Sequence, residues 1–398
     1  MNDINSLIDS FSEEVITLRR ELHSEPELGF REFETTKKIK EFLFREGILS
    51  EKFEESTGLY TYLEPKEFKT GEKNSALKTV MLRADIDALP IQDDKTVGYH
   101  SKRAGVMHAC GHDVHSAILV GTLRALSKSK ETLPCRVKGV FQPAEELGEG
   151  ANSLIKQGVL KGVDYAIGLH VDPSIPLGTV AIRSGTINSA IIDFELMFHG
   201  KSAHSGRPHM GVDAIAATAH FVSTCYALTP RKRDAREAVV LHFGVIEGGV
   251  KSTIVAELCT VKGSVRGFSN EVTKNTLEEI RKIGEATAIT FNASFELKVN
   301  VQLPPVSNDK GVAEAIHRAA ISVIGEDRII TDLPTSMGGE DFGAYSMEIP
   351  GAMFRLGVDP IRSKPPYLHT PTFDIDESAI AIGCKVMAQS VYELSKEN

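Results

Sequence analysis

Apolar and polar positions along the 398-residue chain alternate between two periods. Ile8, Phe11, Val15, Leu18 and Leu22 recur at helical spacing, and the SEPELG stretch after His23 supplies the proline and glycine that stop a helix. A second helical stripe over about 32–46 carries Phe33, Thr36, Ile39, Phe42 and Leu43. Residues 64–78 are polar and lysine-rich and read as an exposed loop. Short, almost wholly apolar runs follow: TVML from 79, VKGVF from 137 and AIGL from 166. Such runs, separated by helical segments, are buried strands of an α/β domain. Around residue 186 the pattern changes. A long strand over 187–200, an alanine-rich helix over 212–228, β-rich runs at 238–249 and 253–268, a helix near 271–289 and a strand near 294–302 spell βαββαβ, a ferredoxin-like order. Helix–strand alternation resumes beyond LPPVSND at 303–309. The expected organisation is therefore an α/β domain, residues 1–185 and 304–398, interrupted by a smaller domain, 186–303.

Length supports two domains, because single cores stop growing near 250–300 residues. The formal net charge is −9, and the short basic cluster Arg231 to Arg233 is followed by Asp234 and Glu237. This balance gives no reason to expect nucleic acid as a partner. No apolar run reaches membrane-spanning length, and the N-terminal stripe lacks the basic start of a signal peptide. Five widely spaced cysteines argue against a disulfide framework, so a cytoplasmic protein is expected.

The chemistry concentrates in MHACGHDVH, residues 107–115, which places His108, Cys110, His112, Asp113 and His115 within nine positions. Gly111 between Cys110 and His112 lets the backbone turn so that thiolate and imidazole converge. The helical run from Ala117 follows at once, so the cluster sits where a loop enters a helix. Isolated cysteines and histidines are usually core or solvated residues, but a cluster of this density reads as a metal site. Three strand ends add to it: Asp85 and Asp87 after TVMLRA, Glu145 and Glu146 after VFQPA, and His170 at the end of AIGLH. In open α/β sheets ligands bind at these C-terminal ends.

Taken together, LRADIDALPI, GVMHACGHDVH, FQPAEE, GLHV, AHSGRPHMGVDAI, MGGEDF and LHTPTFDIDE, in this order, resemble the amidohydrolase branch of the M20 metallopeptidases. The N-terminal RRELHSEPELGFREFET extends the likeness over nearly the whole chain. The resemblance implies a catalytic α/β domain and a lid or dimerisation domain. It also implies two divalent metal ions per subunit, held by Cys110, His112, Glu146, His170 and His369, with Cys110 bridging. Manganese, zinc, cobalt and nickel all suit such donors. Glu145 matches the general base. Asp87, Asp113 and His115 are candidates to orient the ligands. His204 matches a histidine that reaches a partner subunit's site to stabilise an oxyanion. Arg266 matches an arginine for the substrate carboxylate, and Gly338 with Gly339 permit close backbone approach. The first histidine of the wider family's HxD motif is replaced by Asp85, and Thr253 stands where the branch commonly has asparagine. The implied activity is hydrolysis of an N-acyl amino acid by a homodimer or higher homo-oligomer formed through residues 186–303. A dipeptidase or carboxypeptidase is the nearest alternative, and a non-catalytic binding protein on the same fold is a third.

Overall fold

The computed structural model describes residues 2–66, 77–359 and 367–396. Most of the expected exposed loop at 64–78 lies outside them. The chain forms two compact units, one from Met1–Ile187, Ser307–Pro334 and Asp341–Asn398, the other from Asn188–Val306 and Thr335–Glu340.

The first unit is built on an eight-stranded sheet whose order across the sheet is Ser50–Lys52, Leu59–Leu63, Arg136–Gln142, Thr79–Asp85, Tyr165–Pro176, Gly351–Asp359, Val180–Ala181 and Ile329–Ile330. The Thr79–Asp85 strand is buried at every position and pairs in parallel with Arg136–Gln142 on one side and Tyr165–Pro176 on the other. The chain thus leaves the central strand in one direction and returns on the opposite side. That reversal opens a crevice at the C-terminal strand ends. The His112–Lys128 helix packs on one face, where Leu123 fills the space that a side chain at Gly139 would need. Ile118, Leu119, Ile316, Val386 and Met387 belong to the same buried core.

Two local expectations change. The N-terminal helix breaks into Asn2–Ser10 and Ser12–Ser24, because Ser10 and Ser12 hydroxyls donate to the Leu7 and Asp9 carbonyls and compete with the helical ladder. The helix after the metal-type cluster begins at His112 instead of Ala117, so His112, Asp113 and His115 lie on its first turn. Gly111 precedes it with φ +84°, and a Cβ there would meet Val171 Cγ2 at 2.5 Å. Only glycine suits both the left-handed backbone and the close packing.

The second unit has the order βαββαβ: Ala190–His199, Ala214–Leu228, Val239–Gly248, Leu258–Gly267, Asn270–Phe291 and Ser294–Leu303. Its strands form an antiparallel sheet in which Ala190–His199 lies between Ser294–Leu303 and Leu258–Gly267, with Val239–Gly248 at the edge. Asp213 and Ser269 cap the two helices by accepting first-turn amides. Phe194, Phe198, Phe221, Val261 and Ile280 fill the space between sheet and helices. The run 253–268 becomes a strand only from Leu258, since Val255 N–H donates to Ala203 O and Ile254 bridges His204. Residues 335–340 also join this unit. Asn188 and Ser189 hydrogen-bond the Gly338 and Met337 carbonyls, and Arg266 donates to Met337 O at 2.8 Å.

Candidate metal centre

Cys110 stands at the middle of the strand-end crevice. Its Sγ lies 3.4 Å from His170 Nε2 and 3.3 Å from His369 Nε2. Two groups of side chains whose ligand-type atoms lie within 4.8 Å of one another share this sulfur: Cys110 with His112 and His170, and Cys110 with Glu146 and His369. Glu145 and Glu146 form a third such group with His112, their oxygens each 3.9 Å from His112 Nε2.

The hydrogen bonds fix which nitrogen each ring presents. His112 Nδ1 lies 3.1 Å from Asp87 Oδ1, so Nε2 is the nitrogen that faces the carboxylates. His170 Nδ1 donates to the Val171 carbonyl at 2.7 Å, which turns its Nε2 lone pair toward Cys110. Both are the outer-shell arrangement that prepares an imidazole for a metal. His369 has a left-handed backbone, φ +61°, and its N–H donates to Ala109 O at 2.8 Å. That bond ties the C-terminal loop to the residue before Cys110.

Burial works against a charge on His112, but Asp85, the Asp87 hydrogen bond and Cys110 together raise its ring well above the ordinary value. Burial, followed by the charge of Glu146, pushes the Cys110 thiol well above its ordinary value. Burial, with Asp87 adding to it against the pull of His112, moves the Glu146 carboxyl up to about 7. Burial and the neighbouring His115 hold His170 neutral. Two buried atoms, His112 Nε2 and Glu146 Oε1, have no hydrogen-bond partner. Buried polar atoms without partners are costly, and a cation bound between them in place of a proton would satisfy both. Thiolate, imidazole and carboxylate donors fit a divalent transition metal, and the shared sulfur fits a pair of them.

The candidate orienting residues divide. Asp87 holds His112 and also accepts the Glu146 N–H at 3.0 Å. His115 donates to Asp85 at 2.6 Å through Nδ1 and accepts the Val171 N–H at 3.0 Å through Nε2, so it braces the strand that carries His170. Asp113, expected beside them, turns away from the ligands. Its carboxylate takes Arg19 Nε at 2.8 Å and His23 Nδ1 at 2.7 Å, and His23 in turn meets Asp93 and Lys95. Because Lys95 also donates to Phe373 O, this buried group anchors the helix start and the C-terminal loop rather than a ligand ring. His108 is likewise buried away from hydrogen-bond partners, and burial lowers its ring to about 4, so it is neutral.

Residues outside the expected set complete the centre. Arg83, buried on the central strand, donates to Asp85 at 2.7 Å, Gln142 at 2.9 Å and Asp341 at 2.8 Å. Gln142 and the Ala151 N–H fix Asp341 further, and the Asp341 N–H reaches Glu145 Oε1 at 3.3 Å. An arginine inside an otherwise apolar strand is the sequence signal for this layer. His204, Arg266, Gly338 and Gly339 belong to the second unit. There His204 is exposed and accepts the Gly206 N–H, while a Cβ on Gly339 would strike Ile191 Cδ1 at 2.6 Å.

Known proteins match this chain over most of its length. The model of peptidase family M20/M25/M40 matches residues 81–393. N-acetyl-L-cysteine deacetylase of Bacillus subtilis is 34% identical, the alignment covering 100% of this chain and 91% of that protein. Thermostable carboxypeptidase 2 of Saccharolobus solfataricus is 32% identical over 100% of this chain and 98% of its own. The crystal structure of Bacillus subtilis YXEP, described as a dinuclear metal-binding peptidase of the M20 family, superposes with a TM-score of 0.81. It is 31% identical and covers 96% of this chain and 98% of that one. The chain belongs to peptidase family M20/M25/M40.

Proposed function

We propose that this protein is a metal-dependent amidohydrolase that cleaves the amide bond of N-acyl amino acids, releasing a carboxylic acid and a free amino acid. The observation that carries the reading is the division of labour around Cys110. One thiol is shared by two ligand groups, and Glu145 stands beside them with its carboxylate held from outside by Asp341. The residues that would hold two divalent ions are Cys110, His112, Glu146, His170 and His369. Such ions, when bound, acidify water and polarise a carbonyl.

Glu145 is the base in this scheme. It removes the proton of the attacking water and returns it to the departing amine nitrogen. His204 serves to stabilise the developing oxyanion, and Arg266, a planar fork, to pair with the substrate's carboxylate. Thr253, with its shorter hydroxyl, tunes the choice among acyl amino acids. The second unit serves as a lid and as the contact between copies. Its edge strand Val239–Gly248 exposes Val240, Val245 and Ile246, an apolar row suited to pairing with a second copy. Five free buried thiols suit a reducing cytoplasm.

The carboxypeptidase reading is favoured by the names of two Saccharolobus solfataricus relatives, thermostable carboxypeptidases 1 and 2, and needs the same metals. A panel of N-acetyl and N-benzoyl amino acids run beside free dipeptides and C-terminally extended peptides separates the two. Turnover of the acyl amino acids with at least tenfold higher kcat/KM is the expected result. Preference for peptides with a free amine would replace this reading with the other.

A further inference from the structure

Glu32 is fully buried, yet neutral donors occupy its carboxylate. Oε1 accepts the Ala144 N–H at 2.9 Å, and Oε2 accepts the Thr57 hydroxyl. Thr57 is held in turn by the Thr36 hydroxyl, which donates to its carbonyl. Burying a carboxyl in this way is costly and calls for a reason. The reason lies in what Ala144 is doing. Its φ is +55°, a left-handed conformation that alanine does not favour. Its carbonyl accepts from Gly150 N–H at 3.1 Å, closing the loop that begins at Pro143.

Ala144 directly precedes Glu145 and Glu146. Two buried carboxylates therefore bracket the pair, since Glu32 takes the amide before it and Asp87 takes the Glu146 amide at 3.0 Å. The N-terminal turn that delivers Glu32 fits closely against the same loop. A Cβ on Gly29 would meet Leu147 Cδ1 at 2.9 Å and Ala144 Cα at 3.2 Å. Phe30, in that turn, is also left-handed at φ +59°.

We infer that Glu32 is a positioning residue of the hydrolytic site: by holding the Ala144 amide it fixes the left-handed step that sends adjacent Glu145 and Glu146 to different tasks. This inference rests on the amidohydrolase reading for its effect on turnover, but its structural half does not. Burial, with Asp87 adding to it, raises the Glu32 carboxyl to about 7. Both of its partners, the Ala144 amide and the Thr57 hydroxyl, are neutral donors, so what the loop requires here is an acceptor rather than a charge. A glutamine can present one oxygen to Ala144 and its amide to the Thr57 oxygen.

The test compares Glu32→Ala, Glu32→Gln and Glu32→Asp in the full-length protein at saturating metal. Two readouts are used: hydrogen exchange of the 142–150 segment, and kcat and KM on N-acetyl amino acids. Glu32→Ala is expected to speed exchange of that segment at least tenfold and to lower kcat by about a hundredfold, with KM within about threefold of wild type. Glu32→Gln restores protection and most of the turnover. Where Glu32→Ala does not fold, Glu32→Asp stands in, because it keeps the charge and withdraws the acceptor by one methylene. Wild-type exchange or unchanged kcat in either folded variant overturns the inference. So does a Glu32→Gln protein as impaired as Glu32→Ala. A wild-type protein inactive on every acyl amino acid would count against the proposed function alone, and the exchange measurement would still decide the role of Glu32.

Discussion

Adjacent glutamates with different surroundings are the sharpest test at the scale of single residues. Glu146 lies within reach of Cys110 and His369 and has an orphaned oxygen, whereas Glu145 is held by the Asp341 amide. Glu145→Gln should leave metal content near wild type, by elemental analysis, and lower kcat by about 10²–10⁴-fold. Glu146→Gln should bind metal more weakly. Equal metal loss in both variants would erase the distinction between them. Residue types made much of this visible in the sequence, because a thiol, imidazoles and carboxylates crowd into a few short motifs. What stayed hidden was conformation. Nothing in the letter Ala144 announces a left-handed backbone, and Glu32 is one acidic residue among many until the fold buries it.

The elements matter through the loops they lock. Four segments meet at the Arg19–His23–Asp93–Asp113 group: the N-terminal helix, the loop after the central strand, the start of the His112–Lys128 helix and the C-terminal loop. Burial works against the Asp93 charge, but His23, the Ser101 and Lys95 amides and the Lys95 ammonium together hold its carboxyl below the usual range. A carboxyl lowered in this way adds stability at pH values above its unfolded pKa of about 4. That contribution is lost as pH falls through the folded value. Asp93→Asn should therefore cost about 2 kcal/mol near pH 7, and its melting temperature should fall less steeply than wild type between pH 5 and 3. Parallel acid limbs in thermal melts of the two proteins would contradict this. Periodicity revealed the strands and most helices, since those depend on local spacing. The break at Phe11 and the late start of the Leu258–Gly267 strand were not legible, because serine hydroxyls and the pairing of Val255 with Ala203 decide them.

For the whole molecule, the discontinuous chain keeps the metal-type residues in one unit and His204 with Arg266 in the other. Periodicity changes near residue 186 and the second unit begins at Asn188, but the pattern carries no sign that residues 335–340 return to that unit. Their hydrogen bonds to Asn188, Ser189 and Arg266 are made only in the fold. If His204 acts on a partner copy, mixing Glu145→Gln with His204→Ala under subunit exchange should regenerate activity, since one site of each mixed dimer then has both residues intact. Verified exchange without recovery would restrict His204 to its own subunit or to no catalytic role. Titrating metal-stripped protein with manganese or zinc, while following hydrolysis of an N-acetyl amino acid, decides whether two ions drive the cleavage. Turnover should be absent at zero metal and reach a plateau at two ions per chain. Full turnover by verified metal-free protein, or stoichiometric metal binding with no amide cleaved across the panel, would contradict it.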